Sequence, residues 1–317
     1  MELGGYLELE NYTGHTYYTG MYELNLGRTS VVWFLREVGC EKLYLPYYLC
    51  RSVCDTCRKY GIKTEEYRLD QELEPLLDKE ITESEYVYIV NYYGQITDEK
   101  IEKLRSKFHN ILVDNTQAFF QAPIPGIPTV YSLRKFFGIP DGAYFFCEQA
   151  LEEPKEQDLS GTRMSHILGR LEHSASDYYR DMLLTVESFS EETPKRMSKL
   201  TKNILKGIDY SYVRKQREEN YQYLHERLKS DNIMTKRFPA GPFVYPCHCH
   251  DAQSVREKLI RRKIYIPMNW KEVPSLIGED TFEAELSKNI LPLPCDQRYG
   301  LAEMKYLAEN IEEIMGE

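Results

Sequence analysis

Between residues 42 and 131 the chain repeats one pattern that few folds accommodate. Short, almost continuous apolar runs, Lys42-Leu43-Tyr44-Leu45-Pro46, Tyr86-Val87-Tyr88-Ile89-Val90, Ile111-Leu112-Val113 and Thr129-Val130-Tyr131, are rich in β-branched and aromatic residues. Between them lie two segments with helical spacing, Arg51 to Tyr60 and Asp98 to Phe108. Strands apolar on both faces belong to sheets covered on both sides, and parallel neighbours need a helical crossover. The pattern predicts an α/β protein with a mostly parallel sheet and helices on both faces. Ligands in such sheets gather at the carboxyl ends of the strands. Asn91 and Asp114 lie just past two of those ends.

Upstream, Gly27-Arg28-Thr29-Ser30 opens an apolar segment, Val31-Val32-Trp33-Phe34-Leu35-Arg36, that reads as a helix stopping near Gly39. A helix start of this kind offers free amides and a positive dipole end to an anion, with phosphate as a candidate. From about Asp158 to Asp231 the pattern turns helical, and Val213 to Leu228 reads as one long helix. The last section predicts strands around Phe243-Val244-Tyr245 and Lys263-Ile264-Tyr265-Ile266, a helix from Gln253 to Arg261 and a final helix from Leu301 to Met315. At 317 residues the chain divides on this reading into a large domain, 1–212, and a small C-terminal α+β domain, 213–317.

Charge and composition exclude several classes of partner. A net charge of −10 argues against a nucleic-acid backbone, which needs a basic stripe. No run of 18 apolar residues suits a membrane, and Met1-Glu2-Leu3-Gly4-Gly5-Tyr6 is no signal sequence, so a cytoplasmic location is expected. The eight scattered cysteines do not resemble a secreted disulfide framework. Cys50, Cys54 and Cys57 match the spacing of the radical S-adenosylmethionine enzymes, whose thiolates hold an iron–sulfur cluster, but they also fall on one helix face as a small core stripe would. Cys247-His248-Cys249-His250 lies in a predicted strand, where thiols and imidazoles point to opposite faces. No metal site is expected.

The chemistry concentrates in Val113-Asp114-Asn115-Thr116-Gln117-Ala118 and in Tyr131-Ser132-Leu133-Arg134-Lys135, followed by Gly138 and Asp141-Gly142. These place an acid, an amide and an amine near successive strand ends, which is what a pyridoxal phosphate (PLP) site requires. That cofactor needs a lysine to hold it as an imine and a carboxylate to keep its ring nitrogen protonated. Taken singly, Asp114 also fits an Asx-turn or helix cap, Lys135 a solvated charge and Gly27 a plain turn.

In their shared order these segments resemble the nucleotide-sugar aminotransferases of the DegT/StrS type. Gly27-Arg28-Thr29 is similar to that family's phosphate turn, Asn91-Tyr92-Tyr93-Gly94-Gln95 to its His-x-Tyr-Gly-Gln stretch, and the Asp114 and Lys135 segments to its ring-nitrogen acid and imine lysine. Arg196-Met197-Ser198, followed by the helix with Arg217 and Tyr221, is similar to its Asn-Tyr-Arg-Met-Ser segment and long helix. The resemblance implies a three-layer PLP-transferase fold of type I and a homodimer. It also implies transfer of an amino group from glutamate or glutamine to a nucleotide-linked keto sugar.

The same resemblance implies roles for single residues. Lys135 and Asp114 are the catalytic pair, and Gly27, Arg28, Thr29 and Ser132 hold the phosphate. Gln117 meets the phenolic oxygen, Asn91 lies at the cofactor and Tyr48 covers its ring. Four positions depart from the family. Pro194 stands where an asparagine reaches the neighbouring subunit's phosphate, Ser132 lies three rather than five places before the lysine, and Arg28 replaces a small residue. The segment Leu45 to Cys50 lacks the usual threonine–aromatic pair. A catalytically silent binding or regulatory protein of the same fold is the alternative that Pro194 suggests.

Overall fold

A computed structural model describes residues 3–316 of the chain. Its main sheet has eight strands: β1 (Tyr22–Leu24), β2 (Lys42–Pro46), β3 (Lys63–Leu69), β4 (Pro75–Leu76), β5 (Glu85–Val90), β6 (Ile111–Asp114), β7 (Thr129–Ser132) and β8 (Ala143–Phe146). They lie in the order β1-β8-β7-β6-β5-β2-β3-β4. The five strands β3, β2, β5, β6 and β7 are parallel, and the antiparallel pairs involve only β8, β1 and β4 toward the edges.

The parallel centre follows from composition. Val87, Ile89, Leu112 and Val113 are almost wholly buried, and such residues stay out of water only when both faces of the sheet are covered. Coverage comes from α1 (Gly27–Glu37), α2 (Arg51–Lys59) and α3 (Asp98–Phe108), the last started by Thr97, whose hydroxyl accepts the Lys100 N–H at 3.2 Å. In α1 every residue from Thr29 to Leu35 is buried, so this helix is enclosed by its surroundings. Register places Asp114 opposite Val90 on one side and Val130 on the other, at the carboxyl end of the central strand.

The chain continues through α4 (Ser165–Glu172), α5 (Tyr179–Ser188), α6 (Lys199–Lys206) and the long α7 (Tyr210–Leu228). It then forms β9 (Tyr245–His248), α8 (Ala252–Arg261), α9 (Val273–Ile277), α10 (Phe282–Asn289), β10 (Ile290–Leu293) and α11 (Leu301–Gly316). Antiparallel β9 and β10 form a second sheet. Tyr221, Leu224, Tyr245, Leu259, Leu291 and Ile311 belong to a separate apolar core around it. Glu283 of α10, with no exposed surface, accepts two bonds from Arg68 Nε, one from Arg68 Nη2 at 2.8 Å and one from Leu69 N–H at 2.7 Å, tying this region to β3.

Two strand assignments change. Residues 263–266 form no strand: Lys263 adopts a positive φ of 61°, and the N–H groups of Lys263 and Ile264 return to the carbonyls of Ile260 and Leu259, ending α8. The partner of β9 is instead Ile290-Leu291-Pro292-Leu293, and β9 itself starts at Tyr245, two residues later than the expected Phe243. Among the described residues no helix is long and apolar enough to cross a membrane.

Candidate active site

Asp114 ends β6 with 6% of its surface exposed and both carboxylate oxygens engaged. Oδ1 accepts the Thr116 N–H at 2.8 Å, and Oδ2 accepts the Tyr88 hydroxyl at 2.9 Å. Burial pushes the carboxyl above its usual range, against the lowering effect of those donors and of the Lys135 charge. Beside it, Gln117 Oε1 accepts the Tyr93 N–H at 2.8 Å. This fixes the amide and leaves its Nε2 without a partner among the described residues. Tyr93 is held in the left-handed region, φ 50°, followed by Gly94 at φ 75°, a conformation costly for a tyrosine and of the kind that persists at functional sites.

Lys135 comes from the neighbouring strand, in a single 3-10 turn (Leu133–Lys135) directly after β7. Its Nζ lies 5.9 Å from the Phe243 ring centre and has no hydrogen bond or ion pair among the described residues. Surrounding protein drives the amine pKa down, with the Arg134 and Arg28 charges acting the same way and Cys50 and Asp114 opposing. The side chain still presents surface to a cavity of about 750 Å³, whose walls include Arg134, Arg170, His166 and Arg298. Asp114, Gln117 and Tyr48 are not among that cavity's walls. The strand-end segment is locked from the side of α7 and the segment after β10, because Gln297 Nε2 donates to Phe136 O at 2.8 Å and Arg217 Nε donates to Gln297 Oε1 at 2.8 Å.

The start of α1 meets the same turn. A Cβ built on Gly27 would lie 3.4 Å from Ser132 Cβ, an ordinary contact distance, so the helix start packs directly against the end of β7. The N-terminal residue Leu26 provides no side-chain cap, and the first intrahelical bond is Ser30 N–H to Leu26 O. The amides of Gly27, Arg28 and Thr29 therefore remain free for a guest. The Ser132 hydroxyl is unpartnered among the described residues. The Thr29 hydroxyl is committed, 2.7 Å from Asn25 Oδ1 and 3.0 Å from Leu26 O. Asn25 also bonds the Thr193 carbonyl at 3.0 Å, so the segment carrying Pro194 is pinned to its own chain's α1 turn.

Gly27, Arg28, Ser132 and Lys135 thus share one neighbourhood, with Asp114 and Gln117 at the adjacent strand end. Asn91 is nearby but fully used: its Nδ2 donates to Asn115 and Gln121, and its Oδ1 accepts from Ile96 N–H. Tyr48 is packed against Tyr92, 5.2 Å between ring centres, and Trp270, 4.3 Å. Two residues of the site escaped sequence reasoning. Tyr88 hides in an apolar strand with nothing to mark its hydroxyl, while Arg134 was visible as a second cation beside Lys135. Cys54 and Cys57 are buried in the main core and Cys50 is exposed, so the three thiols diverge. Among the described residues no three His, Cys, Asp or Glu side chains are grouped to hold a metal.

No protein-family model matches the sequence, and no curated protein matches it. Solved structures do match in shape. NtdA from Bacillus subtilis, with bound cofactor PMP, superimposes with a TM-score of 0.67 at 11% identity over 94% of this chain and 73% of its own. PseC of Helicobacter pylori, an aminotransferase involved in the biosynthesis of pseudoaminic acid, gives 0.60 at 14% identity over 93% and 86%. A DegT DnrJ EryC1 StrS aminotransferase from Brucella abortus gives 0.61 at 11% identity over 94% and 86%. The chain shares the α/β fold of type I of these structures over more than nine-tenths of its length.

Proposed function

We propose that this protein is a PLP-dependent aminotransferase that moves an amino group from glutamate or glutamine to a nucleotide-linked keto sugar. The observation that carries the reading is that Lys135, unpaired among the described residues, directly follows β7 while the buried Asp114 ends the neighbouring parallel strand β6. The residues present fit the cofactor, because the polar groups left without partners, Lys135 Nζ, Gln117 Nε2, the Ser132 hydroxyl and the α1 amides, match the donors it needs. When bound, PLP supplies an electron sink for the carbon that bears the transferred nitrogen.

The chain's own groups do the rest. Lys135, neutral at lower pH than an ordinary lysine, would hold the cofactor covalently through its amine and would carry a proton to and from the reacting carbon. Asp114 would hold a proton on the pyridine nitrogen, with Tyr88 and the Thr116 amide keeping its oxygens oriented, and Gln117 Nε2 would donate to the phenolic oxygen. Gly27, Arg28, Thr29 and Ser132 hold the phosphate, Thr29 through its amide. Tyr48 and Asn91 act from behind, through the aromatic packing and the Asn115–Gln121 network. Arg170 on the cavity wall, with no ion pair among the described residues, favours an anionic acceptor such as a nucleoside diphosphate, although the chain as a whole is acidic and Arg298 beside it is paired with Asp296. A division at residue 212, a cytoplasmic location and a homodimer complete the proposal.

Mixing the protein with PLP tests it. An imine absorption band should form, vanish in Lys135→Ala and convert to the pyridoxamine form with glutamate, after which a panel of nucleotide keto sugars identifies the acceptor. No band in the wild type overturns the proposal, and a band with no response to any amino donor favours the silent relative instead.

A further inference from the structure

Arg217 of α7 is a buried cation with no acid bonded to it. Only 1% of its surface is exposed, and its hydrogen bonds run to neutral oxygens. Nη1 donates to Pro242 O at 2.9 Å and Phe243 O at 3.1 Å, Nη2 to Phe136 O at 3.2 Å and Nε to Gln297 Oε1 at 2.8 Å. Gln297 Nε2 donates to the same Phe136 carbonyl at 2.8 Å, and the guanidinium carbon lies 4.6 Å from the centre of the Phe136 ring. Asp296 acts on Arg217 from a distance, but its oxygens are bonded to Arg298 at 2.7 and 2.8 Å.

Burying a guanidinium among neutral groups is costly, and apolar packing would dock a helix at least as well. α7 does not need the charge for docking. Val213, Tyr221 and Leu224 already sit in apolar cores, and Asn220 Nδ2 donates to the carbonyls of Cys295 at 3.3 Å, Asp296 at 3.2 Å and Tyr299 at 2.9 Å. What the guanidinium holds explains its presence. Phe136 directly follows Lys135, and Phe243 supplies the ring that stands 5.9 Å from the Lys135 amine. The two rings are 5.7 Å apart. One side chain thus grips both the backbone that carries the lysine and the wall that its amine faces.

We propose that Arg217, bridged by Gln297, is a positioning residue for Lys135, fixing through Phe136 and Phe243 where the amine points. α7 and the segment after β10 thereby set the reactivity of a lysine that belongs to the end of β7. The use of that reactivity, in holding the cofactor, rests on the functional reading above; the grip on the lysine does not. A lysine at 217 would keep the charge but could not span three carbonyls and Gln297 with one planar fork.

The test follows the Lys135 amine in the protein without cofactor, by competitive acetylation with acetic anhydride across a range of pH and peptide mass spectrometry. Wild type, Arg217→Lys and Gln297→Leu are compared with Glu283→Ala, which weakens the fold at β3 and leaves Phe136 untouched. The groups acting electrostatically on the lysine, Cys50, Arg134, Asp114 and Arg28, are the same in all four proteins. The wild-type midpoint should lie below 10.5 and rise by roughly one pH unit in Arg217→Lys and Gln297→Leu, but not in Glu283→Ala. With PLP added, the imine band should form roughly 10- to 100-fold more slowly in the first two variants. If Arg217→Lys fails to fold, Gln297→Leu decides alone. A midpoint unchanged in both variants, or moved equally in Glu283→Ala, overturns the positioning role and leaves the lysine assignment standing. A raised midpoint in the two variants with no imine band in any protein keeps the positioning role and removes the cofactor reading.

Discussion

The Tyr88 hydroxyl donates to Asp114 Oδ2 at 2.9 Å across neighbouring parallel strands. Burial and the adjacent carboxylate hold this phenol well above its usual pKa, so it remains a donor throughout the working range. A hydrogen bond to a charged group contributes about 1.5–3 kcal/mol, and losing this one frees the carboxylate to rotate. Tyr88→Phe should keep the fold and bind cofactor, yet lower turnover roughly 10-fold or more. Steady-state rates with saturating donor measure it; unchanged kcat would show that Thr116 suffices.

Asp114→Asn retains one acceptor for Tyr88 or Thr116 but removes the negative charge. The imine band should still form, because Lys135 is untouched, while half-reaction rates with glutamate fall at least roughly 100-fold, the scale of a positioned proton. Single-turnover spectra separate the two effects. Full activity in this variant would strip Asp114 of its role.

The lowered pKa of Lys135 gives a pH dependence of known sign. Its neutral, attacking form appears at lower pH than the ordinary 10.5, so the rate of imine formation should rise with pH around a midpoint below that value. Removing a neighbouring cation relieves part of the depression, and Arg134→Gln should move the midpoint upward. The folded chain also binds the Lys135 proton less tightly than the unfolded one, so charged Lys135 opposes folding at neutral pH, and the penalty fades as pH rises through the lowered value toward 10.5.

Glu283 connects the small region to the edge of the main sheet. With no exposed surface it satisfies Arg68 and Leu69 N–H together, and Glu283→Ala leaves both donors facing a cavity. The expected cost is about 3 kcal/mol, visible as a lower urea midpoint. Glu283→Gln, which keeps an acceptor for Leu69, should lose less.

Gly241 has a φ of 46°, and a Cβ there would stand 2.2 Å from Phe120 Cδ2. Phe120 belongs to an apolar cluster with Phe119 and Phe136, so the ring has little room to retreat. Gly241→Ala should destabilise the protein by roughly 2 kcal/mol or more, through strain and overpacking together. Equilibrium unfolding gives the value directly.

Local patterning determined much of this molecule. The runs around Leu43, Ile89, Val113 and Val130 are apolar on both faces, and a chain can bury such runs only as covered parallel strands, so β2, β5, β6 and β7 were readable, as were α2, α3, α7 and α8. β3 was not, because Lys63-Thr64-Glu65-Glu66 carries the polar pattern of a strand one place from the edge. The segment Lys263–Ile266 misled for the opposite reason: its alternation is strand-like, but the backbone groups of Lys263 and Ile264 are spent closing α8.

At the candidate site, the sequence by itself singled out Asp114, Lys135 and the Gly27-Arg28-Thr29 turn, since residue type and order at strand ends carry that much. Only the tertiary structure could decide that Tyr88 reaches Asp114, that the hydroxyl of Thr29 turns back to Asn25, and that Arg28 and Arg134 stand without counter-ions among the described residues. These are relations between groups distant along the chain. Hydrogen-bond satisfaction and desolvation depend on what folding brings within a few ångströms, which no local pattern records.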